Sequence, residues 1–254
     1  MSVVLCTYLA TGGGYVEGVR VLGARLEALH PGVARVCVVP RVHTLLERER
    51  DAVAEWWGVL EMAAVAWPAV VPSRVEWPVV LGKLRVWALP YGDRVVYLDA
   101  DCWPVEPLTA LFEAEPFAAC AVQADGTTGG GFNSGVMVLT PNVALSEQMV
   151  QEVGTVDPRI TRIAKDGEQS YLNWRRRAGR FPWTTVLPYE WNVRHFDYWQ
   201  GEVKIAHLRP CPWLDLPRTP QQMPYVKAWR ALAARIGRQW MPMPGASLRQ
   251  MGVQ

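Results

Sequence analysis

The sequence predicts an α/β protein, with a mostly parallel, Rossmann-like sheet flanked by helices, and three observations carry that prediction. Short β-branched apolar runs alternate with segments of helical periodicity through the first two-thirds of the 254 residues. The strand-like runs are apolar nearly throughout, as strands covered on both faces are. Half of the residues are hydrophobic and only 20% are charged, enough apolar material for a large core.

The elements follow in order. Val3–Tyr8 reads as a buried strand and leads into Gly12-Gly13-Gly14. Val19, Leu22, Leu26 and Leu29 then fall three and four apart, one face of a helix that His30-Pro31 ends. Val33–Val39 is a second strand, stopped by Pro40. A helix over Thr44–Trp56 precedes a strand at Val59–Met62, and Lys83–Leu89 suits another helix before Pro90. Arg94–Leu98 is the next strand. After Gly129-Gly130-Gly131 come a strand at Val136–Leu139 and helices at Ser146–Val153 and Glu168–Trp174. From Thr184 prolines and tryptophans dominate and regular patterning weakens, which predicts a loop-rich carboxy-terminal part. Tyr225–Trp240 returns to helical spacing, with Val226, Trp229, Leu232, Ala233 and Ile236 on one face and Lys227, Arg230, Arg235 and Arg238 around it. Packing on the body accounts for that face better than a membrane surface; the same face would also serve a homodimer. The expected organisation is one domain over residues 1–224, with a helix and tail at 225–254 packed on it.

Composition excludes several classes. A net charge of +2 is too small a bias for nucleic acid. No apolar run approaches the ~20 residues that span a bilayer, and the amino terminus reads as a strand rather than a secretion signal. Five scattered cysteines (Cys6, Cys37, Cys102, Cys120, Cys211) without CxxC spacing argue against a disulfide framework or structural zinc, and for a reducing, cytoplasmic setting. Of the 13 tryptophans, Trp57, Trp77, Trp103, Trp174, Trp191 and Trp213 stand beside polar, Pro or Gly positions where a loop could offer a ring to a sugar; core packing is the simpler role for each.

The sharpest chemical feature is Val95-Val96-Tyr97-Leu98-Asp99-Ala100-Asp101. Side chains at i and i+2 of an extended chain point to the same side, so Asp99 and Asp101 can converge on one cation at a strand end, where open α/β sheets bind ligands. Such oxygen ligands suit Mn²⁺ or Mg²⁺, which would neutralise a diphosphate leaving group. A DxD tripeptide also occurs in solvated turns.

Further motifs stand in order around it: Val4–Thr7 with Tyr15; Arg74 nine residues before Lys83; Phe132-Asn133-Ser134-Gly135-Val136; Gly167-Glu168-Gln169; Leu187-Pro188-Tyr189-Glu190-Trp191-Asn192; and Lys204-Ile205-Ala206-His207. With these, the chain from Val3 to about Trp213 resembles glycosyltransferase family 8, the glycogenin-like retaining enzymes. The resemblance implies a GT-A fold and transfer of a hexose, glucose or galactose foremost, from a UDP-sugar to an acceptor that the sequence does not identify. It implies Asp99, Asp101 and His207 as ligands of Mn²⁺ (or Mg²⁺). Arg74 and Lys83 would meet diphosphate or sugar hydroxyls, the first bidentately and the second as a point charge. Tyr8, Leu9 and Tyr15, with Ala100 of the DxD turn, would line the nucleotide. Asp125, Asn133, Ser134, Glu168 and Gln169 would meet the sugar, which needs several short polar contacts to fix its orientation.

Family 8 also implies retention of anomeric configuration. Paired carboxylates achieve retention in hydrolases, but here Asp166 and Glu168 are only candidates as nucleophile, so same-face attack by the acceptor is the favoured route. The chain departs from the family after His207, where Leu208-Arg209-Pro210-Cys211-Pro212-Trp213 is two residues shorter and lacks the usual Lys; Arg209 is placed to replace that cation. Glu168 stands where Asp is usual. The stretch from Asn192 to His207 is much shorter than in glycogenin, which makes Tyr198 a poor autoacceptor. Two other readings compete: a nucleotidyltransferase, against which the lack of a cation before Arg20 weighs, and a nucleotide-sugar-binding protein without catalysis.

Overall fold

A computed structural model describes residues 1–41, 45–65, 80–123, 125, 130–155, 157–164, 167–181 and 183–237. Thr44, Arg74, Trp77, Gly129, Asp166, Arg238 and Trp240 lie outside them.

Strand β1 (Val3–Tyr8) is central because every second side chain serves a different core. Val4, Cys6 and Tyr8 join one apolar cluster and Leu5 and Leu9 the other. Strand β4 (Arg94–Leu98) alternates in the same way, Val95 and Tyr97 against Val96 and Leu98. This is the period-two pattern of a strand buried on both faces. Around them run β2 (Ala34–Pro40), β3 (Gly58–Met62), β6 (Ala118–Ala121), β7 (Phe132–Leu139) and β8 (Thr185–Leu187), in the order β3-β2-β1-β4-β7-β6-β8. All pairs are parallel except those of β7, which runs against both β4 and β6. A small antiparallel ribbon pairs β5 (Cys102–Pro104) with β9 (Ile205–His207).

Helices α1 (Gly14–Leu29) and α2 (Glu47–Ala54) cover one face of the sheet. A 3₁₀ helix (Leu81–Ala88) lies on the other and, following the short α3 (Thr109–Glu113), so do α4 (Val143–Gly154), α5 (Pro158–Ala164) and α6 (Glu168–Arg177). The segment expected as an α-helix at Lys83–Leu89 is thus 3₁₀. The strands β5, β6 and β8 had no signature because three- and four-residue pieces such as Cys-Trp-Pro and Ala-Ala-Cys-Ala are too short for a period to register. Of the marked tryptophans, Trp57, Trp103 and Trp191 are buried core, and Trp174 and Trp213 are partly buried. All five cysteines are free thiols.

The terminal helix α7 (Met223–Arg235) buries Val226, Trp229, Leu232 and Ala233 against Val21 and Ala24 of α1, Trp103, Tyr189 and Phe196. Arg20, buried in α1 beside Glu17, donates to the carbonyls of Ile236 and Gly237 at 3.3 and 3.1 Å, a cation at a helix carboxyl end. Trp213 lies flat enough on α1 that a Cβ at Gly14 or Gly18 would come within 2.4 or 2.3 Å of its ring. No helix among the described residues is long and apolar enough to cross a membrane.

Trp229 is the largest fully buried side chain of the α7 contact. Trp229→Ala is expected to destabilise the chain by roughly 3–5 kcal/mol, read as a lower urea midpoint with an unchanged slope.

Candidate functional site

The strand order brings a distant histidine to the DxD turn. Strand β4 ends at Leu98, and the amide of Asp99 donates to Gly135 O on β7 at 2.8 Å. After Asp101 the chain enters β5, whose Cys102 lies opposite His207 of β9. Leu208 N closes the turn on Asp101 O at 2.8 Å. As a result His207 Nε2 stands 3.2 Å from Asp101 Oδ1, both residues buried. Ligand atoms of Asp101, Cys102 and His207 all lie within 4.8 Å of one another. Burial alone would raise the Asp101 carboxyl, but His207 and Arg209 hold it down at about 2. Burial raises the Cys102 thiol well above its usual value, and the thiol donates to Gly135 O at 3.6 Å. Cys102 therefore serves as a neutral donor, while Asp101 and His207 present an oxygen and a nitrogen. Octahedral coordination at 2.0–2.1 Å puts adjacent ligands ~3 Å apart, so this pair fits one divalent ion.

Asp99 stands outside that trio. Its Oδ1 accepts from Tyr97 Oη at 2.7 Å and from Lys83 Nζ at 2.8 Å. Lys83 is buried and bridges to Glu168 Oε1, also at 2.8 Å, with the Tyr97 ring 4.9 Å beneath its ammonium. Burial pulls the Lys83 ammonium down, but the two carboxylates more than reverse this and raise it, so it stays charged. The lysine expected on the diphosphate or sugar hydroxyls thus joins the DxD turn to the start of α6. Glu168, considered as a nucleophile, is buried and also accepts the Ser134 hydroxyl at 2.7 Å.

Asn133, Ser134 and Gln169, expected on the sugar, are hydrogen-bonded to one another. Gln169 Oε1 accepts Asn133 Nδ2 at 2.6 Å and Ser134 N at 3.1 Å. Gln169 also lines a cleft of about 490 Å³ with Gly130, Arg162, Asn173 and Arg177. The glycine of the Asn-Ser-Gly run has a steric reason: a Cβ on Gly135 would lie 2.4 Å from His207 Cε1. Of the expected nucleotide residues, Tyr8 and Leu9 are buried in the two cores, Ala100 is buried behind α1, and Tyr15 is 43% exposed, its ring 5.1 Å edge-on from Trp213. Arg209 is exposed, with its carbonyl held by Gln222 Nε2 at 2.9 Å. Asp125 is exposed in the loop before β7. Arg74 and Asp166 lie outside the described residues. Two participants carried no assigned role from sequence. Tyr97 had no signal beyond its strand, whereas Asn192 closes the Leu-Pro motif and stands with its amide 2.8 Å from His207 Nδ1.

No protein-family profile matches the chain. In sequence it is similar to two Arabidopsis thaliana proteins, inositol phosphorylceramide glucuronosyltransferase 1 (29% identity, 65% of this chain, 28% of the relative) and UDP-glucuronate:xylan alpha-glucuronosyltransferase 1 (28% identity, 47% of this chain, 16% of the relative). The chain therefore spans under a third of these curated relatives. In structure it resembles the galactosyltransferase LgtC, solved with donor and acceptor sugar analogs (TM-score 0.59, 17% identity, 98% of this chain and 99% of that one). It also resembles the glycosyltransferase GlyE of Streptococcus pneumoniae (TM-score 0.58, 16% identity, 92% of this chain and 63% of that one). The fold is GT-A, and the resemblance to family 8 glycosyltransferases read from the motifs stands.

Replacing Lys83 by Met leaves Asp99 and Glu168 without their shared cation. Lys83→Met is expected to cost about 3–5 kcal/mol in urea denaturation without metal, and adding Glu168→Gln to recover part of that loss. No change in midpoint would mean that the buried ammonium contributes nothing to the fold.

Proposed function

We propose that the chain is a divalent-metal-dependent, retaining glycosyltransferase that takes a hexose, or its C6 carboxylate form, from a UDP-sugar. The observation that carries this reading is the buried Asp101–His207 pair beyond the carboxyl end of β4, 3.2 Å apart, two residues from the Asp99 that Lys83 joins to Glu168 at the start of α6. Glucose and galactose remain the expected donors, and the relatives named for UDP-glucuronate add glucuronic acid.

A divalent cation held by Asp101 and His207, with Asp99 turning to it, would supply charge to the departing diphosphate. The chain's own residues do the rest. Arg209, exposed beside Asp101, is placed to meet phosphate oxygens as a guanidinium that can bind them bidentately. Tyr15 and Trp213 offer ring surface for the uracil. Gln169, on the wall of the cleft, holds sugar hydroxyls. The bond between the anomeric carbon and the β-phosphate oxygen breaks as the acceptor oxygen bonds to that carbon on the same face. The acceptor's proton passes to the leaving phosphate, and UDP departs. Glu168, tied to Lys83 and Ser134, orients that pair rather than attacking.

Purified chain is expected to release UDP from UDP-glucose, UDP-galactose or UDP-glucuronate only with Mn²⁺ or Mg²⁺. Mn²⁺ with UDP is expected to raise Tm by mass action, and Asp101→Asn to abolish both responses. A Tm shift without UDP release from any donor would favour the non-catalytic binding reading; release that persists in EDTA would overturn the metal assignment.

A further inference from the structure

The side chains of Gln169, Asn133, Asn192 and His207 form one hydrogen-bonded row, and two backbone amides fix its polarity. A backbone N–H only donates. Gly135 N donates to Asn133 at 3.0 Å, so the atom of that amide it meets is the oxygen. Ser134 N donates to Gln169 at 3.1 Å, which identifies that end as Oε1. Asn133 therefore turns its Nδ2 to Gln169 and its Oδ1 to Asn192. Asn192 must answer with its own Nδ2, at 2.7 Å, because two carbonyl oxygens cannot share that contact. The only atom Asn192 has left for His207 is Oδ1, 2.8 Å from Nδ1. Asn192 is fully buried and cannot trade this arrangement for water.

We infer that Asn192 is the positioning residue of the site: together with Asn133 it locks the proton of His207 on Nδ1 and so keeps the Nε2 lone pair directed at the metal position beside Asp101. This rests on the metal reading above. A ligand histidine holds its metal well when the other ring nitrogen donates to a fixed acceptor, and losing that acceptor commonly weakens binding ~10–100-fold. Gly135 completes the device, since only a residue without Cβ leaves room for the imidazole.

The test is Mn²⁺ affinity, measured with UDP present by electron paramagnetic resonance of free Mn²⁺, with no turnover required. Asn192→Leu removes the acceptor and is expected to weaken Mn²⁺ roughly 10–100-fold. Asn192→Asp keeps an acceptor oxygen for Nδ1–H but sets its second oxygen against Asn133 Oδ1, so it is expected to bind Mn²⁺ more tightly than Asn192→Leu and more weakly than the unaltered chain. Long-range ¹H–¹⁵N correlation on the unaltered chain with Mg²⁺ and UDP reads the tautomer directly and does not depend on the folding of a variant. A protonated Nδ1 on His207 supports the inference, and a bare Nδ1 overturns it. Equal Mn²⁺ affinity of Asn192→Leu and the unaltered chain overturns this inference alone. No Mn²⁺ uptake by the unaltered chain overturns the proposed metal site and this inference with it.

Discussion

The position of the His207 imidazole against the backbone of β7 constrains every other group of the site. It lies over Gly135, closer than any side chain there would permit, and Gly135 also receives the Asp99 amide and the Cys102 thiol on its carbonyl. Three segments remote in sequence therefore meet at one peptide. The β5–β9 ribbon supplies the restraint, since Cys102 and His207 face each other in its register. With both ring nitrogens engaged, the imidazole has one orientation, and the site inherits its geometry from a ladder rather than from loops.

Charge organises the same region. Asp99, Asp101 and Glu168 would repel one another if gathered in a dry corner without cations. Lys83 neutralises the first and third, and Arg209 acts on the second. The longer arm of Glu168, in place of the aspartate usual in family 8, ends on the Lys83 ammonium and the Ser134 hydroxyl. The bridge also links the DxD turn to α6, whose next residue, Gln169, lines the cleft.

The carboxy-terminal part closes over α1. Trp213 occupies space that glycines at 14 and 18 leave open on α1, and α7 holds it from behind through Trp229, 6.2 Å away between ring centres. The helix expected at Tyr225–Trp240 begins at Met223 and is described to Arg235, where Arg20 meets the carbonyls beyond its end. Its apolar face is spent on the body.

From the sequence alone came the α/β class, the main strands and helices, and three of the segments that meet at the candidate site: a DxD turn after a buried strand, an Asn-Ser-Gly strand entry, and a histidine ending a short strand. These were legible because hydrophobic periodicity and motif order are local properties, written in adjacent residues. Tertiary structure alone decided the partners. That Lys83 pairs with Asp99 and Glu168 instead of standing free, that Tyr8 and Leu9 belong to cores, and that Asn192 faces His207 all depend on which strands lie side by side. Short strands such as β5 carry no period to announce that adjacency. Hydrogen-bond polarity is further still from the sequence, because an amide's direction is set by the backbone N–H it happens to meet.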